Sequence, residues 1–147
     1  MKTLKLYEWI AGNMSDFTRP FQNDENLANQ AKNFWRSLEN FSIFSVLIFI
    51  LVAVVGAIVY YKPFNNSPGR HYHPKYWFIF WAISLIVSFV VTLGLEYFFC
   101  EPKLDGALLL ETKIALGNAI YTALLYLLIS IIWCNFFPSN AYRIFKK

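Results

Sequence analysis

The chain has 147 residues, of which 57% are hydrophobic, 20% aromatic and only 15% charged, with a formal net charge of +4. A soluble domain averages about 45–50% apolar and about 25% charged residues, and one this short has too little interior to hide such an excess from water. The composition excludes a small water-soluble globule and an intrinsically disordered chain, and two cysteines exclude a disulfide scaffold.

The stretch before Pro20 carries Lys2, Lys5, Glu8, Asp16 and Arg19 and builds no apolar core, so the first span is expected to act as an uncleaved insertion signal. Glu8, Asp16, Asp24 and Glu25 count against a mitochondrial presequence. Leu6, Ile10, Met14 and Phe17 recur at helical spacing until Arg19-Pro20 breaks the pattern. Asn23 or Asp24 then offers a helix cap, and Leu27, Ala31, Phe34, Trp35 and Leu38 form one apolar stripe that runs into the first span without a breaker. One helix is expected from about Asp24 to Tyr61. Its stripe either lies on the membrane surface or docks a partner subunit.

Three runs carry no formal charge: Asn40–Tyr61, Tyr76–Leu95 and Ile114–Tyr142. A helix rising about 1.5 Å per residue needs about 20 apolar residues to cross a hydrocarbon core of about 30 Å. Each run suffices, and transmembrane helices are expected at about Phe41–Tyr61, Tyr76–Cys100 and Ile114–Phe137. Backbone amides must be paired in lipid, and runs this continuous lack the alternation of a barrel. Phe34, Trp35, Tyr60, Tyr61, Tyr76, Trp77, Trp81, Tyr97, Phe98, Phe99, Trp133, Phe136, Phe137 and Tyr142 gather near the span ends, as in an interfacial aromatic belt.

The first loop, Lys62 to Lys75, is turn-rich through Pro63, Pro68, Gly69 and Pro74, while the second, Glu101 to Lys113, mixes both signs of charge. With three spans, the tail and second loop share one side. Lys32, Arg36, Lys103 and Lys113 there face Lys62, Arg70, Lys75, Arg143, Lys146 and Lys147 on the other, so positive-inside bias favours a cytoplasmic C-terminus. The expected setting is a bacterial inner membrane, or alternatively an organelle membrane. The lipid bilayer is the expected partner of the basic side, with no nucleic acid.

Ser84, Ser88, Thr92 and Glu96 recur every fourth residue in the second span, as do Asn118, Thr122, Tyr126, Ser130 and Cys134 in the third. Ala115, Ala119 and Ala123 keep a small-xxx-small spacing, and Ala53, Gly56 and Ala57 sit together in the first span. These are natural helix-packing ridges, used within one protomer or for self-association. Glu96 lies within a predicted span, and Glu96, Asn118 and Thr122 are candidate ion-handling groups. Glu96 is near the helix end, where water and headgroups are expected to solvate it.

No catalytic, cofactor-binding or metal site is expected. There is no phosphate-cradling glycine loop and no nucleophile beside a base. His71 and His73 lack the further ligands of a closed zinc site. Cys100 and Cys134 are placed on opposite membrane sides by the three-span topology, out of disulfide reach.

In architecture alone, three short-linked spans with a basic terminal tail resemble the three-span phage holins, although no motif residue carries over; the resemblance implies an oligomer that permeabilises an inner membrane. The residues themselves predict an all-α integral membrane protein with three transmembrane helices and an N-terminal amphipathic helical tail. Its divisions are a tail at 1–40, a three-helix domain at 41–137 and a short basic end at 138–147. The expected role is a non-catalytic membrane subunit assembling as a homo-oligomer or within a larger membrane complex, through its tail and small or polar ridges. The alternative is a pore-forming or ion-conducting oligomer, holin-like or a defence effector.

Overall fold

A computed structural model describes residues 3–65, 73–137 and 144–145 of the chain. Arg70, His71, Tyr142, Arg143, Lys146 and Lys147 lie outside the described residues, as does nearly all of 138–147. A short 3₁₀ segment, Thr3–Tyr7, leads into α1 (Glu8–Ala11) and α2 (Met14–Thr18), followed by a 3₁₀ turn, Arg19–Phe21. Three long helices follow: α3 (Glu25–Val59), α4 (Lys75–Phe99) and α5 (Ala107–Phe136). All three are long and apolar enough to cross a membrane, so the expected all-α, three-span architecture holds.

Helix α3 starts where Asp24 accepts hydrogen bonds from the amides of Asn26 and Leu27 at 2.9 and 3.3 Å. No proline interrupts it before Pro63, which lies in a single π-helical turn, Tyr60–Phe64, at its end. Its 35 residues span roughly 50 Å, well beyond a hydrocarbon core of about 30 Å, so its first turns stand outside the membrane.

Burial along the long helices is inverted relative to a soluble protein. Ser88, Thr92, Asn118 and Thr122 are fully enclosed, whereas Leu51, Ile86 and Val90 are about 60% exposed. Large aliphatic groups face outward and hydroxyls face inward, an arrangement that is stable only where the surrounding solvent is hydrocarbon. The chain is a multi-pass helical membrane protein. Helix α5 is the most enclosed, with 44% of its most apolar stretch buried against 22% for α3 and 17% for α4.

The chain forms two compact units, one of Met1–Ile48 with Phe89–Asn118 and the other of Phe49–Ser88 with Ala119–Lys147. In the first, α2 and the stripe of α3 pack together: the Phe17 ring lies 5.7 Å from Phe34 and 6.1 Å from Trp35. The core of the second is largely aromatic. Trp77 stacks on Trp81 and meets Tyr126 edge-on at 5.7 Å, Tyr61 stacks on Trp133, and Ala53 and Ala57 fill the narrow places.

Several sequence expectations are corrected. The repeat from Leu6 to Phe17 is not one helix, because Gly12 takes a positive φ of 81°, open to a residue without a Cβ, and α2 restarts after Asn13. Helix α5 begins at Ala107, before the uncharged run, because Glu111 in its first turns is buried against Lys103 rather than excluded by its charge. The tail stripe is not a free face. Ala31, Phe34, Trp35 and Leu38 are buried by the chain itself, and only Leu27 stays exposed. The aromatic belt divides likewise: Tyr97, Phe98, Phe99, Phe136 and Phe137 face outward, but Tyr60, Tyr61 and Trp77 are core.

Since Phe34 is fully covered outside the uncharged run, Phe34→Ala should destabilise the folded protein by about 3 kcal/mol. Arg36→Ala, on the exposed side of the same helix, should cost under about 0.5 kcal/mol. Denaturant titration in bicelles measures both.

Candidate functional site

The polar groups of the spans are gathered inside the two units, and the first holds the more elaborate set. Asn118 of α5 donates both amide hydrogens, one to the Ser45 backbone carbonyl of α3 at 2.8 Å and one to Thr92 Oγ1 of α4 at 2.7 Å. Its carbonyl oxygen accepts the Tyr7 hydroxyl. One side chain therefore ties three helices and the N-terminal segment together. Glycine makes the approach possible. A Cβ at Gly117 would stand 3.0 Å from the Tyr7 ring and 3.5 Å from Ile10, so a larger residue there would require the ring to give by a few tenths of an ångström. Thr3 and Ser42 share a second hydrogen bond along the same seam.

Beside this hub lies an ionisable cluster. Glu96, only 1% exposed, accepts a 2.9 Å hydrogen bond from Ser45 Oγ through one oxygen, while its other oxygen is buried without a hydrogen-bond partner. Glu111 is enclosed in the same manner, with one oxygen 2.6 Å from Lys103 Nζ and the second unpartnered. The Lys103 ammonium also lies 4.7 Å from the Tyr97 ring and 5.8 Å from that of Phe34, so aromatic faces flank it on its protein side while its side chain remains partly open to solvent. Glu96, Glu111, Lys103 and Cys100 are near enough to act on one another electrostatically. Glu96 is thus not solvated at a helix end, as its sequence position predicts. The chain itself covers it.

In the second unit, Thr122 donates to Ser88 Oγ at 2.7 Å and Trp77 Nε1 to Ser130 Oγ at 3.0 Å, both linking α4 to α5. Trp81 Nε1 reaches the Ala123 carbonyl at 3.3 Å, and Ser84 returns its hydroxyl to the Phe80 carbonyl one turn back. A Cβ at Gly56 would collide with Ser84 Oγ, so α3 and α4 are in close contact there. Tyr61 and Cys134 share a longer hydrogen bond of 3.5 Å, and both cysteines are free.

The candidate residues fall on both units. Glu96, Thr92, Ala115 and Asn118 belong to the first; Ala53, Gly56, Ala57, Ser84, Ser88, Ala119, Thr122 and Ala123 belong to the second. All but Gly56 and Ala123 are buried, so the small and polar ridges are interior surfaces. Tyr7, Ser45, Lys103 and Glu111 are the members that sequence reasoning passes over. Ser42 and Ser45 at helical spacing, within an otherwise apolar run, are the one signal that could have found α3's contribution. No group of three or more metal-ligating side chains occurs among the described residues.

No protein-family model, curated protein or solved structure matches the chain. Its class therefore rests on its own architecture: a helical, multi-pass membrane protein with hydrogen-bonded polar interiors.

Interhelical hydrogen bonds in lipid contribute about 0.6–2 kcal/mol each, and an orphaned buried donor costs about 1–3 kcal/mol. Asn118→Ala should therefore destabilise by about 3 kcal/mol, and Tyr7→Phe by about 1 kcal/mol. In the double variant the two losses should not add, because they share one bond. Unfolding of the three proteins in bicelles provides the cycle.

Proposed function

We propose that the chain is a non-catalytic integral-membrane subunit that associates with itself or with other membrane-embedded chains. The observation that carries this reading is the commitment of most span hydroxyls and amides to partners within the chain, which leaves the outward faces apolar. Such a chain presents shape rather than chemistry to its neighbours. In the second unit that shape includes an apolar groove of about 370 Å³ between α3 and α4, bordered by Val55, Val59, Ile83 and Val87, with Gly56 and Ser84 at its floor. A helix ridge of a neighbouring protein can seat there by van der Waals contact, the interaction that drives helix association in lipid. The tail stripe and polar ridges are buried within the chain, so assembly falls to these outer faces. The basic C-terminal side is assigned to the cytoplasm, with a bacterial inner membrane as the setting.

Gentle extraction of the tagged full-length protein, followed by mass measurement, should return more than one chain. Val55→Trp with Ile83→Trp, which fills the groove at positions about half exposed, should reduce the mass to a single folded chain. A wild-type protein that emerges alone, fully folded, would sink the subunit reading.

The enclosed Glu96, with an unpartnered oxygen beside Glu111 and Lys103, favours a second reading as an ion-conducting or pore-forming oligomer. That reading expects expression to collapse the membrane potential and Glu96→Gln to restore it. The subunit reading expects a stable potential in both cases, as read by a voltage-sensitive dye.

A further inference from the structure

The first unit contains a second recess, apart from the buried network. It holds about 370 Å³ and opens between the α2 region and the start of α5. Phe17, Phe21 and Leu109 supply apolar walls, and Asp16, Asp105 and Lys113 stand around them. This volume falls within the range of about 300–1,000 Å³ typical of small-ligand sites.

Its depth is set by sequence. Lys113 immediately precedes the uncharged run that starts at Ile114, so the recess lies at headgroup level. Leu109 is 62% exposed and its neighbour Leu108 56%, which carries an apolar surface from the rim of the recess to the outside of α5. On α1, Trp9 is 58% exposed, an amphipathic ring suited to the same layer. An occupant here meets water at one end and hydrocarbon at the other.

The charges define it further. Asp16 gives one carboxylate oxygen to the Asn13 amide at 3.3 Å, whereas Asp105 and Lys113 form no ion pair among the described residues. Two carboxylates and one ammonium thus face a common space without neutralising one another. A purely anionic amphiphile would meet two like charges. A zwitterion offers an anion to Lys113 and a cation to the aspartates. A primary ammonium carries three N–H donors for carboxylate oxygens, and a trimethylammonium carries none.

We propose that the recess formed by Asp16, Asp105, Lys113 and the Phe17–Phe21 wall binds the headgroup of an aminophospholipid, a phosphoethanolamine, from the surrounding bilayer. The phosphate pairs with Lys113, the primary ammonium is received by Asp105 and Asp16, and the acyl chains leave across Leu109 and Leu108.

The test uses the full-length protein in nanodiscs containing equal amounts of phosphatidylethanolamine, phosphatidylcholine and phosphatidylglycerol, with the lipids that stay bound on release identified by native mass spectrometry. Phosphatidylethanolamine should be retained about tenfold over phosphatidylcholine, the ratio expected of one charge-assisted hydrogen bond. Asp105→Asn, at an exposed loop position, should lower that ratio by several-fold, leaving Asp16 as the remaining acceptor, without altering the helical circular dichroism. Lys113→Gln should lower retention of both zwitterionic lipids while keeping their ratio. Preferential retention of phosphatidylglycerol, equal retention of the two zwitterions by the wild type, or an Asp105→Asn protein with the wild-type ratio would each overturn the assignment.

Discussion

Hydrocarbon offers no hydrogen bonds, so the amides, hydroxyls and carboxyls carried into the membrane are drawn toward partners within the chain. Asn118 meets that constraint most fully. Its two donors and its acceptor are engaged by α3, α4 and the N-terminal segment, and Gly117 beside it leaves the room that the Tyr7 ring requires. Around this amide the first unit acquires its register. Ser45 is held through its carbonyl, which in turn directs its hydroxyl toward Glu96. The outward apolar faces follow as the remainder, once the polar side of each helix has been drawn inward.

The two units answer the same constraint with different chemistry. The first uses amides, hydroxyls and an ionisable cluster, while the second relies on indole and phenol rings with a few hydroxyl contacts. Aromatic rings bring broad contact area and few rotatable bonds, so they form a stiff core where alanines and a glycine allow close approach. The first unit also carries Lys103, whose ammonium meets a carboxylate and two ring faces.

Much of this was legible in sequence, since the physical signals were long and uninterrupted. The absence of charge located the spans, and the absence of a breaker between Glu25 and Val59 announced a single α3. What remained hidden depended on partners distant in the chain. Glu111 and Lys113 resemble loop residues by charge, and only the pairing with Lys103 explains how Glu111 enters a helix interior. Glu96 looks interfacial by position, yet Ser45 and the surrounding helices enclose it. The stripe from Leu27 to Leu38 is an apolar face in the sequence, but a stripe does not name its occupant, and the chain's own Phe17 takes part of that place. The regular repeat from Leu6 to Phe17 misleads for a local reason, the left-handed backbone at Gly12.

The hydrogen bond between Tyr7 and Asn118 joins residues 111 positions apart. Synthesis runs at about 5–20 residues per second, so Tyr7 is made many seconds before the amide that receives it. The N-terminal segment therefore cannot complete this contact until α5 has been made. Before then, Tyr7 and Ile10 lack the surface at Gly117 and Asn118 against which they pack.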